Sequence, residues 1–107
     1  MTTENPFEAE IEKRALLNAA KYLKAVLEKE EYPNLEKAVK RLVLEITTTV
    51  VIKNNSYYNK AMNNIFHILS VWWKKIKSED LQNNVYNRFL AKHTIEELDE
   101  FIIIMSF

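Results

Sequence analysis

Apolar residues recur along this chain at intervals of three and four, the spacing that puts them on one face of a helix. Ile11, Ala15, Ala19, Tyr22 and Val26 make a first stripe, which Leu16, Ala20, Leu23 and Leu27 widen. Asn5 as N-cap, Pro6 at the first helical position and Glu8 three residues after the cap announce its start. A helix from Pro6 to Glu30 is predicted. Tyr32, Pro33 and Asn34 break the pattern, because a residue before proline avoids the α region. A second stripe follows from Leu35 through Val39, Leu42, Ile46 and Val50.

The end of the second helix carries a local conflict. Ile46 to Ile52 is an unbroken β-branched run, which favours a strand. With no second strand in the chain to pair with, continued helix is expected, the alternative being a strand that pairs across a homodimer. Asn54, Asn55 and Ser56 form the next turn, with Ser56 as the expected cap of a third helix reaching Lys77. In it Tyr58, Met62, Ile65, Leu69, Trp72 and Ile76 alternate steps of four and three, a heptad seam that needs a partner helix from this chain or another.

Ser78 is the expected cap of a shorter fourth helix bearing Leu81, Val85, Phe89 and Leu90. Thr94 with Glu97 reads as a second capping box, so that helix should stop near His93, with His93 and Leu98 as a hydrophobic staple. A last helix from Ile95 would bury Leu98, Phe101, Ile102 and Met105 while Ile103 and Ile104 spill off its face. The expected fold is all-α, an antiparallel helical bundle of four to five helices forming one domain over residues 1–107.

Composition removes several functions. The chain has 107 residues with no cysteine, no glycine and two prolines. Without cysteine there is no disulfide scaffold, thiolate metal site or thiol nucleophile. Phosphate loops, dinucleotide fingerprints and nucleophile elbows need glycine, so no nucleotide cofactor is expected. His67 and His93 lack a second ligand at metal spacing, so no metal is expected. Glu8, Glu12, Glu96, Glu97 and Glu100 read as polar-face or first-turn carboxylates. No apolar run is long enough to cross a membrane, and a cytoplasmic setting is expected.

Net charge is zero, but unevenly built. Residues 1–36 balance at −3, residues 37–77 at +7 and residues 78–107 at −4. One reading is that oppositely charged helices are neighbours. The other is that Lys37, Lys40, Arg41, Lys60, Lys74, Lys75 and Lys77 form a face for nucleic acid or an acidic partner. Three arginines in the chain are few for base-specific readout. Trp72 belongs to the seam by spacing, and Trp73, about 100° round the helix, lies at its edge, under Lys77 or as an interface anchor.

One motif carries chemistry. Arg88 and His93 stand five apart in Arg88-Phe89-Leu90-Ala91-Lys92-His93. This resembles the R-x4-6-H signature of HEPN-type ribonucleases, helical bundles of about this size. The resemblance implies a metal-independent ribonuclease in which this guanidinium and imidazole act on RNA phosphodiesters across a dimer. Phe89 stands where a polar residue is usual, and Ile95 where an aromatic is frequent. On an unbroken helix the two side chains would lie roughly 140° apart, so a shared site needs a break, which a cap at Thr94 would supply, or a second chain. The leading expectation is a non-enzymatic helical-bundle interaction subunit, dimeric or bound to a protein partner, with Trp73, Ile103 and Ile104 as interface candidates. It could serve a nucleic-acid-handling complex. Direct nucleic-acid binding and the ribonuclease are the alternatives.

Overall fold

A computed structural model describes residues 6–78 and 85–107. Four helices make up the fold: α1 (Pro6–Glu28), α2 (Leu35–Thr48), α3 (Ser56–Ser78) and α4 (Val85–Met105), with single 3-10 turns at Tyr32–Asn34 and Ile52–Asn54. The expected cap Asn5 and the apolar Leu81 lie outside the described residues.

Each neighbouring pair of helices runs antiparallel, as cross-helix contacts show. Glu12 of α1 meets residues 50–52 just past α2, while Tyr22 lies beside Arg41. Thr49 touches Met62 at one end of α2 and α3, and Lys40 faces Trp73 at the other. Trp72 of α3 bonds Thr94 of α4, and Ala61 shares a hollow with Ile104. Lys24 pairs with Asp99, while Lys13 reaches the Phe107 carbonyl just beyond α4. The helices thus close an up-down-up-down bundle in which α1 and α3 each pack between α2 and α4.

Most of each predicted stripe forms its interior, whereas Ile11 of the first and Val50 of the second are exposed. Leu16, Leu23, Val26, Leu35, Val39, Leu42, Met62, Ile65, Leu69, Trp72, Leu98, Phe101 and Met105 are all buried in one cluster. The heptad seam on α3 therefore finds its partner helices within this chain.

The expected break at Thr94 does not exist. α4 runs through it, and there is no staple between His93 and Leu98: His93 is exposed and Leu98 fully buried. Tertiary structure overrides the capping pattern here. The Trp72 indole N–H, sealed in the core, donates to Thr94 Oγ1 at 2.8 Å, and the Thr94 hydroxyl donates to the Leu90 carbonyl at 2.6 Å. By bonding back to the carbonyl four residues earlier, the threonine satisfies its hydroxyl inside the helix. Ser78 is the last residue of α3, and the start of the next helix, with the cap expected there, lies outside the described residues.

The run Ile46–Ile52 is neither a complete helix nor a strand. α2 stops at Thr48, and Thr49 turns extended at ψ 141°. Hydroxyls of Thr47 and Thr48 donate to the Leu44 carbonyl, and that of Thr49 to Ile46. The N–H groups of Val50, Val51 and Ile52 then converge on one carboxylate, Glu12, at 2.7, 3.0 and 2.9 Å. Glu12 is not merely a surface carboxylate near a helix start: it ties the α2–α3 connection to α1, across almost 40 residues of sequence. Three residues after Ile52, Asn55 and not Ser56 caps α3, its side-chain oxygen accepting from the N–H groups of Tyr57 and Tyr58.

The lack of glycine shows at one turn. α1 ends at Glu28 rather than Glu30, and Glu30 takes the left-handed φ of 54° that glycine usually supplies. Glu31 N–H bonds the Val26 carbonyl and Glu30 N–H that of Leu27, the paired bonds of a Schellman motif. Near this end, Lys24 hydrogen-bonds Asp99 at 2.5 Å, which holds the ammonium pKa above its usual 10.5. A raised lysine pKa stabilises the fold below 10.5, so the small contribution of this pair persists at neutral pH and fades only in strong alkali.

Three substitutions read out these features in urea unfolding. Thr94→Val keeps the shape but strands the buried indole N–H, and should cost about 1–3 kcal/mol. Loss of the carboxylate in Glu12→Ala should cost about 1.5–3 kcal/mol, because three backbone donors lose a charged acceptor. Glu30→Gly should instead stabilise the protein, by about 1 kcal/mol, through relief of the left-handed strain.

Candidate functional site

Between α2 and α3 the bundle surface opens into a groove of about 390 Å³. Val43 of α2 and Phe66, Leu69 and Trp73 of α3 form an apolar floor, with Lys40 and Lys74 at the rim. Among the described residues, no carboxylate lines it. The groove follows from the rotation of α3. Trp72 is committed to the core, so its neighbour Trp73 comes out about 100° round the helix, toward α2. One turn before Trp73 is Ser70, whose hydroxyl is spent on the Phe66 carbonyl at 3.1 Å. A small residue there, facing a lysine that reaches outward from α2, leaves the gap unfilled.

Trp73 is half-buried, and the Lys77 ammonium lies over its ring, 4.7 Å from the centroid. α3 carries four lysines and no acidic residue. Those in its final turn also complement the negative end of the helix dipole.

The seven basic residues expected to share a face are divided by the fold. Lys40, Lys74 and Lys77 gather around the groove, and Lys37 is exposed one turn before Lys40. Arg41 turns toward α1, with its guanidinium 5.8 Å from the centroid of the Tyr22 ring. Lys75 is half-buried and about 100° round from Lys74, while Lys60 is exposed nearer the start of α3.

The interface candidates beyond Trp73 also separate. Ile103 is 58% exposed, whereas Ile104 packs against the core beside Phe101 and Ile65. Arg88 and His93 are both exposed on the unbroken α4, so the helical geometry leaves them on different sides of it. Arg88 and Lys92 edge a separate, shallow hollow against Tyr32 and the end of α1.

Among the described residues, no cluster of His, Cys, Asp or Glu could hold a metal ion. None of their helices is long and apolar enough to cross a membrane. No family model matches the chain, and no curated protein or solved structure is significantly similar to it.

Val43, Phe66 and Leu69 were not distinguishable as floor residues from sequence. Phe66 follows the seam residue Ile65, and its displacement by 100° is a weak sign that it leaves the core. Which helix it then faces depends on the packing of the whole bundle.

Proposed function

We propose that this protein is a non-enzymatic assembly subunit, a small helical bundle that holds another polypeptide against its α2–α3 groove. The uncovered apolar floor of that groove, with Trp73 at its edge, carries the reading. Soluble domains scatter single apolar residues over their surfaces, but a concave cluster of the half-buried Val43, Phe66 and Trp73 rimmed by charge is the form a binding site takes. The α3 seam no longer argues for a partner, since the chain's own helices fill it. Ile103 and Phe89 add exposed apolar area on α4, at 58% and 71% exposure.

Direct nucleic-acid binding, or an accessory place in a nucleic-acid-handling complex, has less support because the cations are spread over several faces. The HEPN-like ribonuclease has less again: with no helix break at Thr94, Arg88 and His93 would act together only if a second chain supplied one of them.

Sedimentation of the full chain at micromolar concentration, combined with affinity capture from its native source, tests the assembly reading. A stable dimer, or a stoichiometric protein partner that Phe66→Ser releases, is expected. A monomer that recovers no partner contradicts it.

A further inference from the structure

We infer that the outer face of α4 pairs with the same face of a second copy of this chain, the two helices running antiparallel about a two-fold axis at Glu96. This goes beyond the assembly reading, because it concerns a different helix and uses none of the residues that line the α2–α3 groove.

Away from the core, α4 carries a second stripe. Phe89, His93, Glu96, Glu100 and Ile103 follow one another in steps of four and three, the spacing of a helix–helix seam, and all of them are exposed. Its apolar members stand at the two ends, Phe89 71% and Ile103 58% exposed. Between them, charge is sorted by sign. Arg88 and Lys92 flank the stripe in its first half, and Glu96 and Glu100 occupy its second half. Among the described residues, none of these four side chains is in an ion pair.

A two-fold axis makes a surface meet itself, so its contacts have to be self-complementary. Phe89 and Ile103 each lie seven residues from Glu96, on opposite sides of it. With the axis at Glu96, Phe89 of each copy therefore meets Ile103 of the other. Lys92 and Glu100, each four residues from Glu96, meet in the same way. A parallel pair would instead set Lys92 against Lys92 and Glu100 against Glu100, which repel. The antiparallel register costs one like-charge contact, between the two Glu96 side chains at the axis. Lys92 of either copy lies only four residues, about 6 Å along the helix, from both of those carboxylates. Charge also favours a second copy over a foreign helix. A foreign helix would need basic and acidic halves in the reverse order, and α4 turned end for end already has them.

Sedimentation equilibrium of the full chain tests the pairing. One helix from each copy makes a small interface, so dissociation in the micromolar range is expected. Lys92→Glu sets like charges against each other at both ends of the contact, and so does Glu100→Lys. Each should weaken the dimer at least about tenfold. An equimolar mixture of the two variants should recover it as a heterodimer, because the introduced charges then face opposite ones. Lys92 and Glu100 are both exposed, so circular dichroism and melting should stay unchanged in either variant. A chain still monomeric at about 100 μM, well above that range, overturns the inference, as does a dimer that neither variant weakens or a mixture that recovers nothing. If the chain is monomeric and captures a protein that Phe66→Ser releases, the α4 pairing falls and the assembly reading stands. If the dimer answers to the α4 charges and no partner answers to Phe66→Ser, the pairing stands and the groove loses its occupant.

Discussion

The indole N–H of Trp72 is fully buried and has to find its hydrogen-bond partner within the protein. A buried donor left unpaired costs about 1–3 kcal/mol, a large share of the stability of a domain this small. Thr94 supplies the acceptor and its own hydroxyl donates to the Leu90 carbonyl, so one pair of hydrogen bonds joins α3 to α4 inside an unbroken α4. It also fixes the rotation of α3. With Trp72 turned inward, Met62, Ile65 and Leu69 face the core, and Phe66 and Trp73 emerge on the side of α2. The groove is thus a consequence of how the core is closed.

A second long-range bond organises the opposite end of the bundle. The α2–α3 connection begins in a β-branched run that is a poor helix former, and its backbone donors would otherwise be left to solvent. Glu12 gathers three of them and pins the turn to α1. Asn55 then starts α3 in a defined direction. At the same end of the molecule Lys13 donates to the Phe107 carbonyl, so the stretch after α4 is tied to α1 as well. Bonds of this kind let a chain without glycine make its turns.

Most of what depended on spacing alone could be read from the sequence, with Ile11, Val50 and Phe89, all exposed, as exceptions. The buried stripes of α1, α2 and α3 follow from steps of three and four, because periodicity reports directly which face is apolar. Readings that compared local with distant interactions did not survive. Thr94 and Glu97 satisfy a capping pattern, but only the position of Trp72, 22 residues away, shows that the hydroxyl is used inside a helix. Glu12 looks like any polar-face carboxylate until α2 is folded back onto α1. The groove belongs to neither helix singly. Its basic rim was visible as the excess of +7 in residues 37–77, yet bundle packing decided which of those cations would stand together.

These features support a molecule whose chemistry is recognition. The interior is an apolar cluster in which the buried Trp72 is bonded to Thr94, and an apolar cleft with a lysine rim lies beside that tryptophan. The dependence of the cleft on Trp72 is the central claim, and NMR hydrogen exchange of the two indole protons in the free chain tests it most directly. The Trp72 proton should exchange only through global unfolding, and the Trp73 proton orders of magnitude faster. Fast exchange at Trp72, or protection at Trp73 equal to it, would contradict the account.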